Sequence, residues 1–447
     1  MKKTISLLAL ACCFAAADAG AQTYQLMEMI VVGAPLTKGN AFQRLVRPYR
    51  DRTERFSSAR LDALQMSIAV GDPADELTLE GWGDNRADLR KGASRVKAEY
   101  GKLSGDGYTG NTNDEDYPGD RLGAYGRFGS FEAELSRFGQ DEKTVASGAS
   151  ETYNETGAGA GLAFGAENVR LGLHGNFNKR EYTDNDQEYA NNAAGGALAV
   201  SAGIFELGAT ADYVDRGTRN ATFEETRSGP LLGAQALIKP FGGLRAALRA
   251  SVAKLSGELE GGGNTYDFEG NNNELGARAE WAFEAFPLTI AASAEKLFMD
   301  PGYSGPGISA SAEVNNISKA LGAVLRPFGG RLLLGAEIKD VVMEYDQHLN
   351  GALASASEIK ANTATAGAEV WLLPGLALRA SFQRLELDTS GNMGNSETLY
   401  NVMGGGVGLK GEHYTLDASV RRLEEDPDDG GMGDRLMEIR LMYGYRF

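Results

Sequence analysis

The stretch Arg435–Phe447 reads R-L-M-E-I-R-L-M-Y-G-Y-R-F. At period two, Met437, Ile439, Leu441, Tyr443, Tyr445 and Phe447 share one face, wholly apolar and aromatic at its end. Leu436, Glu438, Arg440, Met442, Gly444 and Arg446 share the other, mostly polar or small. A helix would scatter both sets around its circumference, whereas a strand sorts them because successive side chains point to opposite faces. The segment is therefore a β-strand with one apolar face. An edge strand of a soluble sandwich alternates in the same way, so the rest of the chain decides what that face meets.

From about Ser94 the same alternation recurs, punctuated by eight short turns: Gly129-Ser130, Gly165–Asn168, Gly203-Ile204, Pro240–Gly243, Glu284–Pro287, Pro327–Gly330, Leu373–Gly375 and Gly411–His413. Between them lie longer polar stretches rich in Gly, Asn, Asp, Glu and Ser. Eight hairpins give sixteen strands. A strand before them (Arg95 to Leu103) and the terminal one bring the count to about eighteen, within a range of 16–20. An even count puts both ends of the series on the short-turn side. The faces agree from strand to strand. After the turns, rows such as Val169, Leu171, Leu173 or Leu376, Leu378, Ala380, Phe382 occupy one parity. Arg170, His174, Asn176 and Arg379, Ser381, Gln383 occupy the other.

The first residues are of another kind. Lys2 and Lys3 precede an apolar run from Ile5 to Ala17, and Ala19-Gly20-Ala21 offers a small-residue cleavage site before Gln22. Residues 1–21 are read as a secretory signal peptide. Cys12 and Cys13, the two cysteines, fall inside it, so the chain from Gln22 has no thiol chemistry. Without Lys2, Lys3 and Asp18 the formal charge moves from −17 to −18, which argues against nucleic acid as a partner. The mean hydropathy of −0.30 is compatible with a barrel in lipid, because only every second strand residue must be apolar. No apolar run of 18 or more residues marks a transmembrane helix.

A signal peptide, short turns opposed to long polar stretches, and a terminal Tyr443-x-Tyr445-x-Phe447 together resemble a bacterial outer-membrane β-barrel protein of the porin-like kind. The resemblance implies an all-β fold, a transmembrane antiparallel up-and-down barrel over residues 94–447 with short periplasmic turns and long acidic extracellular loops. It also implies the bacterial outer membrane as location after export to the periplasm. The partners it implies are outer-membrane lipid and lipopolysaccharide, a small polar solute, and a barrel-assembly machinery that reads Tyr443, Tyr445 and Phe447; oligomeric state is left open. Residues 22–93 are read as a periplasmic extension or a lumen plug, with seven basic groups against Asp51 and Glu54 between positions 37 and 60. Within them Glu28–Ala34, an acidic residue followed by a Val-Val centre, resembles the energy-coupling box of TonB-dependent transporters.

The parity assigns Arg245, Arg249, Arg278, Glu280, Arg379, Asp417, Arg421, Glu438 and Arg440 to the lumen. Mixed charges there suit an aqueous channel. On six rising strands a cation ends the outward apolar row: Arg137, Lys179, Lys254, Lys296, Arg384 and Arg422. Three of them, Lys296, Arg384 and Arg422, lie eight residues after the first outward group of their strand, and eight residues at a tilt of about 40° climb roughly 20 Å, close to the apolar band. At that outer rim the cations either meet lipopolysaccharide phosphates or snorkel to an interface with no specific lipid. Catalysis has little support: His174, His348 and His413 are the three histidines, and no metal-spaced His/Cys cluster or phosphate-binding loop is present. No cofactor is expected, beyond Ca²⁺ or Mg²⁺ at the acidic loops Asp106–Asp120 and Glu424–Asp434. The expected function is passive diffusion of small hydrophilic solutes. The rivals are a plugged or TonB-coupled transporter using residues 22–93, and a non-conducting structural or adhesion barrel.

Overall fold

The computed structural model describes residues 95–447, apart from 110, 111, 117, 145–149, 167, 183–186, 284, 392–395 and 427–434. The expected signal peptide and the 22–93 segment lie outside the described residues. In chain order the strands are β1 (Arg95–Thr109), β2 (Thr112–Asp116), β3 (Gly119–Phe128), β4 (Phe131–Thr144), β5 (Ser150–Gly165), β6 (Val169–Tyr182) and β7 (Gln187–Ala202). They continue with β8 (Phe205–Arg219), β9 (Phe223–Ile238), β10 (Leu244–Gly261), β11 (Asn264–Ala282), β12 (Leu288–Met299), β13 (Gly302–Gly305) and β14 (Ile308–Leu325). The last six are β15 (Leu332–Leu349), β16 (Ala352–Leu373), β17 (Leu376–Gly391), β18 (Ser396–Lys410), β19 (Tyr414–Asp426) and β20 (Arg435–Arg446).

Two of these, β2 and β13, are short pieces set in hairpin tips; the other eighteen form one antiparallel sheet in sequence order. The sheet closes where β20 pairs with β1, from Arg95 opposite Arg446 to Asp106 opposite Arg435. Closure leaves no unpaired edge, which a hydrocarbon surround demands because nothing there replaces a missing backbone hydrogen bond. All eight turns read from the sequence join consecutive strands at one end of the barrel. At the other end the polar stretches are largely strand. They prolong the hairpins and close some of them tightly, as at Gly262-Gly263 and Asn350-Gly351, whose positive φ values fit a two-residue hairpin turn.

The two faces are those of a protein turned inside out. Leu135 and Leu275 on the outer face are each 63% exposed, whereas Arg170 and Arg440 on the inner face are each 1% exposed. A soluble sandwich does the reverse, so the apolar face meets lipid. At the short-turn end Phe128, Phe131, Phe164, Phe205, Trp281, Tyr414 and Tyr443 are all exposed, a girdle suited to the lipid–water boundary. Phe447 joins this girdle across the closing seam. Its ring centre lies 6.2 Å from that of Phe128 on β3 and 5.1 Å from that of Tyr445. Deleting Phe447 should therefore lower the yield of heat-modifiable, membrane-inserted protein. An unchanged band shift on gels would contradict this.

Candidate functional site

The inner wall carries the chemistry, and strand parity puts it there. Eight of the nine residues assigned to the lumen from sequence are involved in ion pairs, which fall into three groups.

The first group spans the seam. Arg440 on β20 donates to Glu99 Oε1 on β1 through Nε (3.0 Å) and Nη2 (2.5 Å). Its Nε lies 3.9 Å from Glu438, and Arg421 on β19 donates to Glu438 Oε2 at 2.7 Å. The second group lies on β16–β19. Arg379 donates to Glu369 (2.8 Å) and to Asp417 (2.6 Å), and Trp371 Nε1 donates to Glu369 at 3.0 Å. The third lies on β10–β12. Arg249 Nη2 sits 2.7 Å from Glu274 and 2.8 Å from Glu295, with Arg278 3.6 Å from Glu280. Arg245, half-buried, stands opposite Glu280 in the β10–β11 register. These are groups of very low exposure, and burial without such partners would cost several kcal/mol per charge, on the order of that for an isolated buried ion.

Three of the pairs reach across an intervening strand, and a glycine makes room each time. Arg249 on β10 faces Gly276 on β11, which faces Glu295 on β12. A Cβ at Gly276 would stand 2.9 Å from Arg249 Nε. His174 on β6 faces Gly195 on β7, which faces Asp212 on β8, and His174 Nε2 lies 2.7 Å from Asp212 Oδ1. Arg379 likewise passes over Gly408 on β18 to Asp417, and a Cβ there would stand 2.7 Å from the Asp417 carboxylate. Sequence reasoning placed His174 in the lumen without a partner. The pairs with Glu99, Glu295, Glu369 and Asp212 depend on register between strands, which no local pattern shows.

Above the charged belt the wall inverts its polarity. On β17 the outer row Leu376, Leu378, Ala380, Phe382 gives way to Arg384, Glu386, Asp388. The inner row Arg379, Ser381, Gln383 gives way to Leu385 and Leu387. The barrel there leaves lipid for water, so its outer face turns polar while its inner face packs on itself. Leu103, Phe138, Ala361, Leu385, Tyr400, Val402, Leu423 and Leu436 form one buried inner cluster. Val214, Leu231, Ala253, Leu255 and Phe268 form a second, and Leu297, Met299 and Val314 a third. Together they make an apolar collar over β8–β20 and on to β1 and β4. Its signal in the sequence is the parity swap just past Lys254, Lys296, Arg384 and Arg422.

All six cations expected at the outer leaflet have outward parity, five of them exposed and Lys179 half-buried. Lys179 pairs with Glu181 (2.6 Å) and Glu188 (3.1 Å), and Arg422 with Glu424. Arg137, Lys254, Lys296 and Arg384 make no ion pair among the described residues. Of the acidic loops expected to hold a divalent cation, 427–434 lie outside the described residues, and Glu424 is held by Arg422 and, at 3.8 Å, by Arg435. Three carboxylates converge elsewhere, at Glu386, Asp388 and Glu397, whose oxygens lie within 4.8 Å of one another. His413 sits in a short turn as expected, and His348 lies at the far end of β15.

No protein-family model matches the chain, and no curated protein sequence matches it. Among solved structures it is similar to the alcaligin outer-membrane receptor FauA from Bordetella pertussis, at 10% identity and TM-score 0.39 over 78% of this chain and 75% of that one. It is also similar to OccK8 (OprE) of Pseudomonas aeruginosa, at 11% identity and TM-score 0.37 over 79% and 98%. A third likeness is to OccAB3 of Acinetobacter baumannii, at 11% identity and TM-score 0.40 over 79% and 99%. Likenesses this distant say nothing of solute or mechanism.

Proposed function

We propose that the chain is a channel of the bacterial outer membrane through which small hydrophilic solutes diffuse passively. The observation that carries the reading is the layout of the inner charges. Among the described residues the ion pairs of the three groups join strands no more than two apart in the sheet, an arrangement along the wall rather than across the lumen. Such a wall holds water and offers both signs of charge to a passing solute. The same layout weighs against the non-conducting barrel, which needs the lumen sealed by its own charges.

Export to the periplasm by residues 1–21, and assembly through Tyr443, Tyr445 and Phe447, belong to the same proposal. So does contact of the four unpaired outward cations with lipopolysaccharide phosphates. No catalytic step and no cofactor is assigned. The plugged or TonB-coupled alternative rests on residues 22–93. Planar-bilayer recording of the whole chain and of a chain lacking 22–93 tests the proposal against it. Steady conductance in both supports a diffusion channel, and conductance only after truncation supports a plug.

A further inference from the structure

The apolar collar has a gap. On β6 the outer row ends as elsewhere, Phe177 giving way to Lys179 and Glu181, but the inner row stays polar through Asn176, Asn178 and Arg180. Its neighbours do the same at this height. Gly157 faces Asn178 from β5, Asn191 faces it from β7, and Arg216 on β8 faces Asn191. Asn176 and Asn191 are each 8% exposed. Asn178 donates to Glu155 at 3.1 Å, and Glu155 also holds Arg180 at 3.4 Å.

Atoms of the three asparagines and of Arg216 are unused. Both polar atoms of Asn176, the Oδ1 atoms of Asn178 and Asn191, and Nε and Nη2 of Arg216 are buried with no hydrogen-bond partner. Buried polar atoms in folded proteins are almost always paired, and each one left bare carries a cost that a bound group removes. They lie on three neighbouring strands, β6–β8, of which β6 and β7 give the collar no fully buried member and β8 gives it Val214.

Resting on the channel reading above, we propose that this notch on β5–β8 is a binding site for the permeating solute, and that the solute is a small hydroxylated carboxylate. The bare Nε and Nη2 of Arg216, both N–H donors, call for an anionic acceptor, and a carboxylate matches a guanidinium in planar geometry. The bare amide oxygens of Asn176, Asn178 and Asn191 call for donors, which hydroxyl groups supply.

The test uses the full chain in a planar bilayer in KCl, with gluconate as the probe and glucose as its neutral counterpart. Gluconate should interrupt the KCl current at millimolar concentration, and glucose at least tenfold more weakly. In a chain carrying Arg216→Gln and Asn191→Ala, half-blocking gluconate should rise at least tenfold while the KCl conductance changes less than twofold. Asn176→Asp, which places a negative charge in the notch with little change of shape, should weaken the block likewise. The outward Lys254→Ala should leave it unchanged. Equal block by glucose, no block in the unaltered chain, or unchanged block in both notch variants would overturn the site while the KCl current still upholds the channel. Absence of KCl current in the unaltered chain would overturn both.

Discussion

Replacing Arg440 by alanine should cost the barrel about 3–5 kcal/mol, the penalty for stranding a buried acidic partner. Its expression is a loss of closed, heat-modifiable protein and a marked drop in the urea midpoint. The side chain is 1% exposed and stands on the last strand, where it binds Glu99 on the first and approaches Glu438. Removing it leaves two carboxylates without that cation at the seam, where β20 pairs with β1 to close the barrel. Glu99→Gln, which keeps a hydrogen-bond acceptor and removes one charge, should cost clearly less. Joining Arg440→Met to Glu99→Leu should recover most of the loss, because a packed apolar pair replaces a buried ion pair at little cost. If Arg440→Ala unfolds at the same urea concentration as the unaltered protein, the seam is not held in this way.

Placing alanine at Gly195 should be nearly as damaging, and placing it at Gly196 should not. A Cβ at Gly195 would run into the carbonyl oxygen of Ala211 and the carboxylate of Asp212, and would stand 2.7 Å from Asp212 Cα. Backbone atoms cannot turn aside, so β7 must shift from β8 and the His174–Asp212 pair must part. A cost at or above the upper end of the about 1–3 kcal/mol usual for overpacking follows. At Gly196, on the lipid face, the nearest atom would be the Gly172 carbonyl oxygen at 3.4 Å, an ordinary contact. Urea unfolding of the two variants side by side checks the contrast. Equal midpoints would show that the wall tolerates a Cβ between His174 and Asp212.

The outer face was open to a reading of the sequence because lipid imposes one rule on every strand. Leu171, Leu248, Leu378 and Val420 obey it independently of their partners, and the eight turns follow wherever the alternation breaks. The inner face obeys no such rule. Arg249 finds Glu295 through Gly276, and Arg379 finds Asp417 over Gly408, only because the stagger of the closed sheet sets those rows side by side. That stagger is a property of the whole barrel. The collar was half visible. Leu385 and Leu387 carry inward parity, as do Leu423 and Leu255, but an apolar residue of that parity looks like noise until the height at which the outer face turns polar is known. The notch on β5–β8 shows only against the collar, so it was out of reach for the same reason.

The central claim is that this wall encloses an open aqueous path, and ion current through the purified full-length chain tests it most directly. In a planar bilayer in 1 M KCl the account predicts discrete, steady, ohmic conductance steps, at similar size with and without residues 22–93. No current from either chain, once each is shown to be inserted as a heat-modifiable barrel, would contradict it.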